Sequence, residues 1–123
     1  MPRILVVEDD DSSRSLVARI LERLGYATAQ ATNGQTALNI LRQDSAFDLI
    51  VSDVRMSPMD GLHLLTEVKN GYSTIPVLLI SVHGRPEWIA EALDNGASGF
   101  LVKPFVKDQL ADAVNAILAP TSP

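Results

Sequence analysis

The sequence predicts one α/β domain, a three-layer, doubly wound (βα)5 sandwich with a five-stranded parallel sheet of order 2-1-3-4-5. Three observations lead there. Four short apolar runs, residues 4–7, 49–51, 77–80 and 100–102, are unbroken rather than alternating, as strands covered on both faces should be. Segments of helical period lie between them on short connections, so that strand and helix alternate five times. Right-handed crossovers then set helices on both faces of a parallel sheet.

Taken in order, the first strand is Ile4-Leu-Val-Val7. The helix after it carries Leu16, Ile20 and Leu24 as one apolar stripe, with Asp10, Asp11 or Ser12 available to cap its start and Gly25 to end it. Residues 26–31 alternate small apolar and polar side chains, the weaker pattern of an edge strand, which places the second strand at the sheet margin. The second helix spans about Asn33 to Gln43 and turns Ala37, Leu38 and Leu41 inward. The third opens at Asp60-Gly61, carries Leu64, Leu65 and Val68, and ends near Gly71. The fourth starts at Pro86, where a missing N–H is tolerated, and stops at Asn95-Gly96. The last aligns Leu110, Val114, Ile117 and Leu118 on one side. Residues 1–119 make up the domain, and the proline-rich stretch 120–123 reads as a tail or linker stub.

A chain of 123 residues holds one such domain, and 46% apolar residues fill its core. With no cysteine there is neither a disulfide nor a thiolate metal site. A net charge of −5 argues against a face that grips nucleic-acid phosphates, so no direct nucleic-acid contact is expected. No apolar run approaches the roughly 20 residues that span a bilayer. The expectation is a soluble, cytoplasmic protein without a membrane partner.

In open α/β sheets, ligands sit beyond the carboxyl ends of the strands where strand order reverses, here between strands 1 and 3. Strand 1 ends in Glu8-Asp9 and strand 3 in Asp53. Any one aspartate there is as well explained as a helix cap. The cluster is not, because two unit charges about 4 Å apart repel by roughly 4 kcal/mol at an effective dielectric near 20. Lys103, at the end of strand 5, can reach across strand 4 and offset part of the charge. Three carboxylates and one ammonium still leave two negative charges, which suit one divalent cation with hard oxygen ligands, Mg²⁺. His63 and His83 sit on other elements and offer no zinc set. A carboxylate beside such an ion and a lysine is set up to attack a phosphoryl donor. Ser81, closing strand 4, adds a hydroxyl for a phosphoryl oxygen, although a serine there is usually a turn cap.

Ile4-Leu-Val-Val-Glu-Asp-Asp10, Asp53-Val-Arg-Met-Ser-Pro-Met-Asp-Gly61, Leu79-Ile-Ser81 and Gly99-Phe-Leu-Val-Lys-Pro-Phe105 resemble, in order and spacing, the four signature blocks of two-component response-regulator receiver domains of the chemotaxis-regulator type. The likeness runs from about Arg3 to Ala119. It implies that Asp53 is the phosphoacceptor and that Glu8, Asp9, Asp53 and the backbone carbonyl of Arg55 hold Mg²⁺, Glu8 partly through water. It implies that Lys103 is the family's lysine, with a cis bond to Pro104, and that Ser81 and Phe100 form the switch pair. Phosphorylation would draw Ser81 toward the phosphoryl group, Phe100 would turn into the vacated space, and the face of helix 4, strand 5 and helix 5 would change its affinity for a partner. The implied partners are a histidine kinase or phosphotransfer protein and a downstream target or effector domain, with room for a homodimer. The implied role is a phosphorelay switch that assists its own phosphorylation and dephosphorylation without being an enzyme in the ordinary sense.

The sequence departs from the family pattern at two places, and two of its residues fill positions that vary within the family. Ser57 stands where proline usually follows the methionine, with proline displaced to Pro58; Val82 replaces a small residue after Ser81 and could narrow access to Asp53; Arg55 and His83 occupy positions that tune phosphoryl lifetime in relatives. Trp88, the only tryptophan, is either a buried anchor of helix 4 or a contact on the output face. A flavodoxin-like electron carrier would share the sheet order but needs a phosphate-binding loop where this chain is acidic. A phosphatase with an aspartate nucleophile needs a second carboxylate where Arg55 stands. A pseudo-receiver, a binding module never phosphorylated, is the remaining rival.

Overall fold

A computed structural model describes residues 2–55, 59–82 and 84–118. Five strands and five helices alternate: β1 (Arg3–Val7), α1 (Asp11–Arg23), β2 (Ala27–Ala31), α2 (Gly34–Gln43), β3 (Leu49–Asp53), α3 (Gly61–Gly71), β4 (Val77–Ser81), α4 (Pro86–Asp94), β5 (Gly99–Val102) and α5 (Lys107–Leu118). The sheet is parallel with order β2-β1-β3-β4-β5, as the sequence predicts. The expected tail, residues 120–123, lies outside the described residues.

The unbroken apolar runs follow from a core on each face. Leu5, Val7, Ile50, Val77 and Leu79 pack with α2, α3 and Ala92 of α4. Their alternate neighbours Ile4, Val6, Leu49, Val51, Leu78 and Ile80 pack with α1 and α5. Because successive side chains point to opposite faces, a strand covered twice must be apolar throughout. β5 departs from this reading: it is an edge strand, only partly buried, and Val102 is well exposed. One side has no further strand, so its apolar run is covered less completely.

The helix ends are set locally. Asp10, Asn33 and Asp60 cap α1, α2 and α3 by accepting from the backbone N–H groups of Ser13, Thr36 and His63. Gly25 and Gly96 take φ of 98° and 103° after α1 and α4, the left-handed turn that releases a helix. Gly61 has a different reason. A Cβ there would collide with the carbonyl oxygen of Asp53, so α3 can start against the end of β3 only without a side chain.

The stripe expected on α1 is displaced. Leu16 and Leu24 are 56% and 43% exposed, while Val17, Ala18 and Leu21 are buried. One residue along a helix is a rotation of about 100°, and α1 carries apolar residues on both candidate stripes. The Asp10 cap and the contact with Leu110 and Val114 of α5 select the smaller set, which lets α1 lie close to the sheet. Leu21→Ala is therefore expected to cost about 2–5 kcal/mol, against about 0.5 kcal/mol or less for Leu16→Ala. Urea denaturation of the two variants checks this, and equal losses would restore the displaced stripe.

Candidate functional site

Register brings the acidic strand ends together. Val7 pairs with Ser52, so the next residues, Glu8 and Asp53, stand side by side at the carboxyl end of the sheet. Glu8 is buried, Asp53 half-buried and Asp9 exposed, and each offers a carboxylate oxygen within 4.8 Å of the others. Lys103 follows the β5 residue that pairs with Ser81, and its backbone N–H donates to the Ser81 carbonyl at 2.8 Å. From there the ammonium crosses β4 as predicted, standing 3.2 Å from Glu8 Oε2 and 3.4 Å from Asp53 Oδ1. The bond to Pro104 is cis, as the family resemblance implies.

The electrostatics follow from burial. Removal from water pushes the Asp53 carboxyl above its ordinary value; Lys103 pulls it back in part and Asp9 adds to the rise. Burial likewise raises Glu8, opposed by the Asp10 N–H that donates to Oε1 at 3.1 Å and reinforced by Asp53. Burial works against the Lys103 ammonium, but Asp53 and Glu8 prevail and its pKa is raised. One lysine thus answers two carboxylates, one buried and one half-buried, and leaves the cluster short of positive charge. Hard oxygen donors with an uncompensated negative charge fit Mg²⁺. His63 stands apart on α3, 3.7 Å from Glu67.

Ser81 is 3% exposed at the end of β4. Phe100 packs against the α2–α3 side of the core and lines, with Ser81, Arg55, Trp88 and Glu91, a cavity of about 360 Å³. Trp88 is not the buried anchor: it is 36% exposed, with the Arg85 guanidinium 5.0 Å from its ring centroid. Val82 is 59% exposed and lines a second groove with Leu16, Lys103 and Phe105, beside the approach to the site. Met56, Ser57, Pro58 and His83 lie outside the described residues. Sequence reasoning missed Arg14, whose Nη1 donates to the Glu8 carbonyl at 2.9 Å. Its signal was a lone cation one turn into the helix after an acidic strand end.

Because the folded pKa of Asp53 lies above the unfolded value of 3.8, the folded state binds more protons between those two values, and stability falls as pH rises through that window. In chelator-treated protein, Asp53→Asn should therefore raise the thermal midpoint at neutral pH. The gain should shrink as pH falls toward 3.8. A neutral-pH midpoint lowered by the substitution would mean that the lysine contact outweighs burial.

The chain matches the response regulator receiver domain family over residues 4–115. It is 40% identical over 118 residues to the transcriptional regulatory protein ZraR of Escherichia coli K12, covering 96% of this chain and 26% of ZraR. The crystal structure of the NtrX receiver domain from Brucella abortus superposes with a TM-score of 0.89 at 37% identity, covering 97% of this chain and 99% of that one. Chemotaxis protein CheY4 of Vibrio cholerae gives a TM-score of 0.89 at 32% identity, covering 96% and 99%. The chain spans about a quarter of the length of the curated regulators it matches first. Among the described residues no helix is long and apolar enough to cross a membrane. By sequence, fold and the acidic crevice together, this chain belongs to the receiver domains of two-component response regulators, which are signalling domains and not classical enzymes.

Proposed function

We propose that Asp53 accepts a phosphoryl group from a phosphohistidine of a histidine kinase or phosphotransfer protein, and that the change is read on the α4-β5-α5 face. The observation that carries this reading is the Lys103 ammonium set between Glu8 and Asp53, with three carboxylates within 4.8 Å. Glu8, Asp9, Asp53 and the Arg55 carbonyl would hold Mg²⁺, which when bound neutralises charge on the phosphoryl oxygens. An Asp53 carboxylate oxygen bonds to phosphorus as the donor's P–N bond breaks, and the leaving imidazole takes a proton. Lys103 meets one of the equatorial oxygens, and the Ser81 hydroxyl donates to another.

Ser81 and Phe100 share a cavity wall with Trp88 of α4, which supports a path from Asp53 to the output face. As Ser81 closes on the phosphoryl group, Phe100 turns inward, and a pre-existing population of the active state grows. The partner on that face is a downstream target, a second copy of the chain or an effector domain. The regulator names of longer relatives favour an effector; in this reading residues 1–119 are the receiver, 120–123 a tail or linker stub, and the setting is cytoplasmic.

Intact-protein mass after incubation with Mg²⁺ and acetyl phosphate should show one phosphoryl adduct for the wild type and none for Asp53→Asn or with chelator. An adduct that survives Asp53→Asn would move the phosphoacceptor elsewhere. No adduct from either this donor or a phosphorylated kinase would make the chain a pseudo-receiver. With acetyl phosphate, Val82→Ala should be phosphorylated faster than the wild type, because the β-branched side chain stands beside Lys103. An unchanged rate would show that Val82 leaves the approach clear.

A further inference from the structure

Arg14 takes part in none of these roles, yet all three of its guanidinium nitrogens are engaged, one of them on the backbone of the loop that carries the acids. Its side chain is 14% exposed. Nη1 donates to the Glu8 carbonyl at 2.9 Å, Nη2 to Asp11 Oδ1 at 2.7 Å, and Nε to Gln30 Oε1 at 3.2 Å. One guanidinium thus joins the end of β1, the first turn of α1 and the edge strand β2.

Glu8 lies just past the β1 ladder. Its N–H donates to the Ala31 carbonyl at 3.1 Å, its Oε1 accepts from the Asp10 N–H, and its Oε2 meets Lys103. Arg14 takes the one remaining polar atom, the carbonyl, so that Glu8 is held at all four. We propose that Arg14 is a positioning residue for the acidic pair, a strut that fixes the backbone at Glu8 and with it the directions of the Glu8 and Asp9 carboxylates toward a divalent cation. The proposal rests on the metal site of the proposed function and adds to it a residue outside the ligand set.

Position and charge make opposite predictions. As a nearby cation alone, Arg14 repels a metal ion, and its removal would tighten binding. As a strut, its removal frees the loop and weakens binding, in the way that outer hydrogen-bond partners of metal ligands commonly change affinity about 10–100-fold. Lysine keeps the charge but cannot reproduce a three-way planar fork.

Calorimetric titration of the chain with Mg²⁺ alone, for wild type, Arg14→Lys and Arg14→Gln, separates the two. The expected result is weaker binding in both variants, by roughly tenfold or more. Faster amide exchange at Asp10 in the metal-free variants is expected alongside it. Tighter binding in Arg14→Gln with no change in Arg14→Lys would leave only a charge effect and overturn the strut. A lowered thermal midpoint with unchanged Mg²⁺ affinity would make Arg14 purely structural and overturn it as well. A wild type that binds no Mg²⁺ would remove the metal site and the strut together, whereas wild-type binding with unaltered variants removes the strut alone.

Discussion

The backbones of two acidic residues at the ends of adjacent, hydrogen-bonded strands cannot move apart without breaking the sheet. The β1–β3 register holds Glu8 beside Asp53, and burial denies both the water that would screen them. At about 4 Å the repulsion is of the order of 4 kcal/mol for an effective dielectric near 20, comparable with a large part of a domain's net stability. Much of the surrounding architecture answers this constraint. Lys103 comes from the far edge of the sheet to stand between the two acids, the Asp10 N–H takes one oxygen of Glu8, and Arg14 takes its carbonyl. The remaining negative charge fits a divalent cation, and the proposed phosphoryl transfer would take place beside it.

The same arrangement bears on how the proposed charge change at Asp53 would travel. Asp53 is paired with Ile80, and Ser81 is paired with Val102 one strand further out, so the acid, the buried hydroxyl and the root of Lys103 lie on three successive strand ends. Phe100 is two residues back along β5 and faces the opening where Ser81 and Trp88 also lie. β5 is only partly covered, and α4 contributes only Ala92 to the fully buried core. The proposed phosphoacceptor, Asp53, sits on the best-packed strands, and the face proposed to respond sits on the least-packed ones. Elements with few buried apolar contacts rearrange at low cost, which suits an output surface.

Much of this is legible in the amino-acid sequence. Strand positions followed from the apolar runs, helix ends from Asn33, Asp60, Pro86 and the glycines, and the crevice from strand order. What misled was phase. On α1 the larger residues Leu16 and Leu24 mark a plausible stripe, yet Val17, Ala18 and Leu21 are the ones inside. A helix with apolar residues on two neighbouring stripes carries too little periodicity to choose, and the packing partner chooses. β5 misled similarly, since an apolar run says that a strand is buried and not how completely.

The chain alone marked which groups are candidates for chemistry, because residue type at strand ends and β-α order are local properties written at fixed spacings. Which groups are coupled is a matter of distance across the sheet. That Lys103 serves Glu8 and Asp53 together, that Arg14 braces the Glu8 carbonyl, and that Trp88 shares a cavity with Ser81 and Phe100 all depend on side chains from separate elements meeting in space. Register, burial and helix rotation set those meetings, and each arises from the balance of contacts over the whole fold.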